Sequence, residues 1–501
     1  MAQAETAVRT IKNYIGGGWV EAEASESVDV TNPANGETLA QVPMSSQADL
    51  DRAVQAARQA FPEWRATSPV ERARACFRLK NVLEERRDEL AEIVSRDNGK
   101  AIKDASGEVR RGIECVEVAT GIPSLMQGSN LEDVSRGIDS DMIRQPIGVF
   151  AAITPFNFPF MVPLWFLPFA IACGDTFILK PSEQDPLASE LIFELLDQCE
   201  IPAGVVNLLN GGKDTVNGIL EHPGINGVSF VGSTPVAHHV YATAAKHGKR
   251  VQALGGAKNH VVVMPDAEME SAVDGVLSSA FHAAGQRCLA NSVCVAVGDA
   301  YEPLKKRLVE KGDAMIVGEG IDPETEVGPV ISAAARERIG EFIERGLAEG
   351  GELVLDGRGK GLDDGHFLGP TIIETDPDSE IATEEIFGPV LTLVRARDLD
   401  HALEIMNAST KGNAASIFTT SGGAMRKFRH DAEAGMIGVN IGVAAPMAFF
   451  PFTGWKDSFF GDTHAQAGDA VDFYTRKKTV TTRWFSGGPT GKFFVEQGDT
   501  H

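Results

Sequence analysis

The stretch IGVFAAITPFNFP, residues 147–159, decides the fold, because a short apolar, β-type run stops at a proline and hands over to sequence long enough for a crossover helix. The same unit recurs. TFILKP at 176–181, VVNLL at 205–209, GVSFVG at 227–232 and VQALG at 251–255 are short apolar runs, each set apart from the next by a helix-length segment. Such alternation predicts a doubly wound parallel sheet with helices on both faces. In that architecture ligands bind beyond the carboxyl ends of the strands, where PFNFP, KPSEQ and FVGST all fall, so three loops are expected to converge on one crevice. A second series follows, with HVVVM (260–264), SVCVAV (292–297), VLTLVRA (390–396), ASIFTT (415–420) and GMIGVN (435–440) as strands of a second α/β domain. The chain then runs into AVDFYTRKKTVTTRWF at 470–485, which reads as a long β ribbon and an arm that pairs with something else. Residues 486–501, rich in glycine and polar side chains, read as a loose tail.

The 501 residues are 43% hydrophobic and 23% charged, an ordinary balance for a globular chain and enough for two or three domains. With 70 acidic against 46 basic residues the net charge is −24, spread without a local run. A surface of that sign repels phosphates, which argues against nucleic acid as a partner; solubility or adaptation to high salt explains it. The first thirty residues lack the basic start and apolar core of a signal peptide, and no run is long and apolar enough to span a bilayer. A cytoplasmic protein without a membrane partner is expected. The six cysteines are scattered with no CxxC pair, so reduced thiols are expected, with neither a zinc site nor a disulfide framework.

One of those thiols stands apart. Cys288 lies in FHAAGQRCLANS, among small residues and beside Arg287, a cation that lowers the cost of a thiolate if its side chain points the right way. A buried free cysteine usually does no more than fill space. The case for Cys288 rests on what accompanies it, beginning with Asn157 in PFNFP. Phosphate signatures are weak: there is no GxGxxG, DGRGKGL fails at its last position, and GGPTGKF lacks the spacing of a P-loop. What remains is Gly232-Ser233-Thr234 between a strand and a helix, where free N–H groups and the helix dipole suit a pyrophosphate.

PFNFP, KPSE, FVGST, GQRC and EEIFGP, in this order and at these distances, resemble the aldehyde dehydrogenase superfamily across nearly the whole chain. More narrowly, VQALGGAKNH, RRGIE, PMAFFPFTGWKDSFFG and DFYTRKK look like its CoA-acylating methylmalonate-semialdehyde dehydrogenase branch. The resemblance implies an aldehyde dehydrogenase-like fold: an NAD-binding domain at 1–124 and 145–256, a catalytic domain at 257–469, and a small β oligomerisation arm at 125–144 and 470–485. It implies a homotetramer, a dimer of dimers. It makes Cys288 the nucleophile, with Asn157 and the Cys288 N–H as the oxyanion hole. For NAD it implies Thr154 and Phe156 along the cleft, Lys180 and Glu183 at the adenosine ribose with Gln184 beside it, Ser233 at the pyrophosphate, Glu385 at the nicotinamide ribose, Phe387 near the ring, and Gly255 in the adjoining loop. Arg111 and Arg287 are the arginines it supplies for a substrate carboxylate. No metal is implied.

Two departures from the superfamily stand out. GSTPVA carries Ala237 where GSTxxG has its last glycine, and the loop that is usually ELGGK reads Ala253-Leu254-Gly255-Gly256-Ala257-Lys258. Aligned on the glycines or on the lysine, the glutamate that would activate water is replaced by Ala253 or by Leu254. Without that base a thioester resists hydrolysis, whereas coenzyme A brings its own thiolate. The expectation is oxidative decarboxylation of malonate or methylmalonate semialdehyde with NAD and coenzyme A to acetyl-CoA or propanoyl-CoA. The alternatives are a hydrolytic semialdehyde dehydrogenase, which the missing glutamate disfavours, a cysteine hydrolase, for which none of the eleven histidines can be assigned as base, and a non-catalytic protein, which has no need of Cys288 with Asn157.

Overall fold

The computed structural model describes residues 8–362 and 364–485, so the tail at 486–501 lies outside the described residues. At the centre of the first layer five strands run parallel in the order Val206–Leu208, Thr176–Lys180, Val149–Ile153, Gly227–Val231 and Arg250–Leu254. Four of these are wholly buried, as expected for strands covered on both faces. The sheet is not parallel throughout. The hairpin Asn13–Ile15/Gly18–Val20 adds antiparallel at one edge, and Phe459–Gly461 adds antiparallel to Arg250–Leu254 at the other. That last strand comes from inside the range 257–469 read for the second domain. Such edge strands need no crossover helix and cover backbone that would otherwise be unpaired.

The second sheet orders Glu352–Leu355, Thr371–Glu374, Val390–Ala396, Asn291–Val297, Asn259–Val263, Ala414–Phe418 and Met436–Val439. All neighbours are parallel except the first pair. The α/β class with two doubly wound sheets therefore holds, with antiparallel edges added to it.

A third, antiparallel sheet joins Thr475–Arg483, Ile138–Pro146 and Ser129–Ser135. Here the reading of residues 470–485 as one ribbon needs correction. Ala470–Tyr474 completes a helix, Ala467–Tyr474, and the strand begins only at Thr475. The β-type composition of AVDFY was misleading because Val471, Phe473 and Tyr474 are buried on the helix's core face, where the Tyr474 hydroxyl lies 3.1 Å from Ser229 Oγ.

Candidate active site

The strand Val149–Ile153 ends just before Thr154 and the helix Met161–Cys173 starts eight residues after Ile153, so the PFNFP loop sits at the carboxyl edge of the first sheet. Asn157 in this loop is 5% exposed. Its Nδ2 donates one hydrogen to Gln286 O at 3.0 Å, which leaves the second hydrogen free, and its own carbonyl accepts from Lys100 Nζ at 2.7 Å. Lys100 is in turn paired with Glu108 at 2.5 Å, both side chains sealed from solvent, while Glu108 Oε1 accepts from the N–H groups of Phe160 and Met161. This buried ion pair fixes the loop at both ends. No motif marks it in the sequence, since it forms only when the Lys100 turn, the Ile102–Ala119 helix and the 157–161 loop meet.

Cys288 follows a sharp turn in which Ala283, Ala284 and Gly285 all have φ between 52° and 69°. Two alanines in the left-handed region are strained, and Asp104 holds them by accepting from Ala283 N at 2.8 Å. Gly285 is required on space as well, for a Cβ there would lie 2.2 Å from Gly388 O in the EEIFGP loop. The Cys288 carbonyl is clamped by Nδ2 of Asn259 at 2.8 Å and of Asn413 at 2.7 Å. Neither asparagine was marked by the sequence. Burial pushes the Cys288 thiol up to about 12; the charge of Glu385 adds to the effect, while Arg287 and the N–H groups of Cys288 and Leu289 oppose it. Arg287 therefore acts in the expected direction but is outweighed. Its Nη2 donates to the carbonyls of Ser278 and Ser279, and Nε is buried without a partner among the described residues.

Cys288, Arg287 and Arg111 line one cavity of about 260 Å³, walled by apolar side chains such as Phe158, Met161, Trp165 and Phe452. Arg111 is held by Glu114 Oε2 at 3.2 Å and Met447 Sδ at 3.1 Å, and it also donates to Pro446 O. The pair of positions left open for the missing glutamate separates in three dimensions. Successive residues of a strand face opposite sides, and Leu254 joins the apolar cluster that includes Leu289 and Cys288, whereas Ala253 packs with Ala237, Val240 and Phe230 in the cluster across the sheet. Leu254 is thus the side chain on the thiol's face.

Most of the remaining candidates lie at the carboxyl ends of the first sheet's strands, and Glu385 and Phe387 come from the loop before Val390–Ala396 of the second sheet. Lys180 is buried at a strand end and pairs with Glu183 at 2.7 Å; burial raises the Glu183 carboxyl, but the charge and hydrogen bond of Lys180 outweigh it and leave a net lowering. Gln184 is exposed. Ser233 caps the helix Thr234–Lys246 by position only, its side chain making no cap hydrogen bond, which leaves the hydroxyl and first-turn N–H groups free for an anion. Thr154 is 4% exposed with Oγ1 unpartnered among the described residues. The free Ser233 hydroxyl and first-turn N–H groups, together with a carboxylate suited to two ribose hydroxyls, fit NAD. Glu385 accepts from Ala257 N at 2.9 Å, and burial raises its carboxyl despite that bond and the nearby lysines Lys411 and Lys258. Phe387, at φ 54°, meets Phe156 edge to face at 5.8 Å. Gly255 donates to Ser458 O at 2.8 Å, and a Cβ on it would meet Asp457 O at the same distance, so its position is explained by packing.

Two α/β layers, a thiol on a strained turn and a helix N-terminus open to phosphate define the class: the chain belongs to the aldehyde dehydrogenase family, whose profile matches residues 19–480. Among curated relatives it is 54% identical over 481 residues to malonate-semialdehyde dehydrogenase 2 of Geobacillus thermodenitrificans, covering 95% of this chain and 100% of that protein. It is 52% identical over 482 residues to the protein of the same name from Geobacillus kaustophilus, covering 96% and 100%. Among solved structures, methylmalonate-semialdehyde dehydrogenase from Oceanimonas doudoroffii superposes with a TM-score of 0.94 at 45% identity, covering 96% of this chain and 99% of that one. A protein assigned the same activity in Sinorhizobium meliloti 1021, solved with NAD, gives 0.94 at 43% identity with the same coverage.

Proposed function

We propose that this protein oxidises malonate or methylmalonate semialdehyde with NAD, releases carbon dioxide and passes the acyl group to coenzyme A. The observation that carries the reading is Leu254: the thiol's face of the strand end bears an alkyl group where a water-activating carboxylate would stand. Cys288 Sγ attacks the aldehyde carbon. The oxygen that gains charge is met by the free N–H of Asn157 and by the Cys288 N–H, donors set before the charge develops. The hydride from the aldehyde carbon would be accepted by NAD, which Lys180, Glu183, Ser233 and Glu385 would hold. Cys288 then carries an acyl thioester, and Arg111 and Arg287 hold the carboxylate at the neighbouring carbon, each through charge-assisted bonds. The C–C bond to that carboxylate breaks, its electron pair passing into the thioester carbonyl, carbon dioxide leaves, and the carbon that bore it takes up a proton from solvent. The thiolate of coenzyme A displaces Cys288. The names and full-length identities of the relatives support the same substrate class.

Lys180, Glu183, Ser233, Thr154, Phe156, Glu385 and Phe387 would line the NAD site, with Gln184 at its rim and Gly255 as a packing neighbour. Residues 1–124 and 145–256 would form the NAD-binding domain, 257–469 the catalytic one, and 125–144 with the strand from 475 the arm. Leu131, Val134 and Ile143 leave apolar surface exposed on that arm, which supports a homotetramer, and six unpaired thiols support a cytoplasmic setting. Among the described residues no helix is long and apolar enough to cross a membrane. The test is product analysis with semialdehyde and NAD, with and without coenzyme A. Acyl-CoA and carbon dioxide formed with NADH are expected; free acid formed at the same rate in both conditions overturns the reading.

A further inference from the structure

The loop that carries Asn157 takes four main-chain hydrogen bonds from one turn and one helix. The carbonyls of Phe156 and Asn157 accept from Asn98 Nδ2 at 3.0 Å and from Lys100 Nζ at 2.7 Å, while the N–H groups of Phe160 and Met161 donate to Glu108 Oε1 at 2.9 and 3.1 Å. Lys100 is itself held on every side. Its ammonium is shared between Asn157 O, Glu108 Oε2 at 2.5 Å and the face of the Phe158 ring at 4.3 Å, and its own carbonyl accepts from Ser95 Oγ at 2.8 Å. A Cβ on Gly320 would meet that carbonyl at 2.2 Å, and Ile102 N donates to Gly320 O at 2.7 Å, so the turn is also locked to the loop after the helix Tyr301–Ala314.

Two buried charges are a costly way to hold a loop. With 1% and 0% of their side chains exposed, Lys100 and Glu108 have given up hydration that their mutual attraction need not return in full, and well-packed neutral side chains of similar volume are often as stable or more so. What the pair achieves is local. Asn157 is gripped at its carbonyl by Lys100 and at one amide hydrogen by Gln286 O, 3.0 Å away, so the remaining amide hydrogen has a single direction. A charged donor on the carbonyl makes the shorter and stronger of those two grips.

Resting on the reading of Asn157 as an oxyanion donor given above, we propose that Lys100, with Glu108 as its counterion, is a positioning residue for acylation: it aims the second Asn157 N–H at the oxygen that gains charge when Cys288 adds to the aldehyde. The pair stands beside the chemistry without joining it. Lys100 neither gives nor takes a proton, and the Cys288 thiol answers to burial first and then to the charges of Glu385 and Arg287.

The experiment follows the first-turnover burst of NADH with methylmalonate semialdehyde beside alkylation of Cys288 by iodoacetamide, which displaces iodide at a saturated carbon and builds no oxyanion. In Lys100→Met the burst rate should fall about 10²-fold, the cost of misplacing a reacting group by about an ångström and at the lower end of what is lost with an oxyanion donor, while alkylation stays within a few-fold. Lys100→Met strands a buried carboxylate and should lower the melting temperature. Lys100→Met/Glu108→Gln removes that charge, keeps an acceptor for Phe160 N and Met161 N, and should recover the stability without recovering the burst. In an Asn157→Ala background Lys100→Met should cost no more than a few-fold further, because the group it aims is gone. The proposal is overturned if alkylation falls as far as the burst, if the double variant regains both stability and burst, or if the losses from Asn157→Ala and Lys100→Met multiply. Asn157→Ala with an undiminished burst would take Asn157 out of the oxyanion hole and this proposal with it, a failure told apart from the others because it shows before Lys100 is touched.

Discussion

Placing a carboxylate at position 254 should convert part of the acyl transfer into hydrolysis, and the size of the effect follows from where Leu254 sits. A positioned general base contributes about 10²- to 10⁴-fold when ionised. Leu254 is 5% exposed in an apolar cluster, and burial raises a carboxyl by up to about 3–5 units, so the carboxyl introduced by Leu254→Glu should titrate near pH 8. Only about a tenth is then ionised at pH 7, leaving roughly a 10- to 10³-fold gain there, which should rise about tenfold by pH 9. The same burial costs stability. Keeping the carboxyl neutral at pH 7 against an unfolded value near 4.3 amounts to roughly 3–4 kcal/mol, a penalty that grows from about pH 4 and levels off above the folded value. Ala253→Glu is the control, because that side chain is fully buried on the opposite face of the sheet and should destabilise without a hydrolytic gain. The assay loads the enzyme with methylmalonate semialdehyde and NAD without coenzyme A, quenches at intervals, and follows free propanoate. A gain from Ala253→Glu equal to that from Leu254→Glu, or none from a folded, acylated Leu254→Glu at pH 9, would refute the assignment of the base position.

Cys288→Ala should abolish NADH formation and leave NAD affinity, measured by calorimetry, within a few-fold of the parent. Arg111→Leu should lose about 1.5–3 kcal/mol, roughly 10- to 150-fold in kcat/KM, on carboxylated semialdehydes and far less on propanal; equal losses would reduce Arg111 to a partner of Glu114. NAD should be used far better than NADP, since Glu183, held ionised by Lys180, repels a 2′-phosphate, and Glu183→Ser should narrow the ratio of the two efficiencies. Burial raises the thiols of Cys76, Cys115, Cys199, Cys288 and Cys294 from near 9 to about 12. The native state therefore keeps protons that the unfolded state gives up, and stability, full below about pH 9, should be lost progressively from 9 to 12 in denaturant titrations; a flat profile would contradict it.

The parallel strands were legible because a strand buried on both faces is mostly apolar, and IGVFAAIT, TFILK and GVSFV are. Cys288, Asn157, Ser233 and Glu385 could be picked out as well, since loops at strand ends preserve order and spacing in the sequence. The terminal ribbon was misplaced by five residues because AVDFY is apolar enough for either a strand or a helix, and only its packing under Phe150 selects the helix. Arg287 beside Cys288 is a fact of sequence. That its guanidinium turns to Ser278 and Ser279, and that burial governs the thiol, are facts of packing.

By itself, the amino-acid sequence determined the layered α/β plan, the order of the site motifs and the loss of a glutamate from the ALGGAK loop. The tertiary structure alone decided that Leu254 rather than Ala253 shares the thiol's face and that Lys100 and Glu108 pin the Asn157 loop. The physical reason is common to both. Which face a side chain takes, and what it meets there, depend on pairings between segments far apart in the chain, and local propensity carries no information about them.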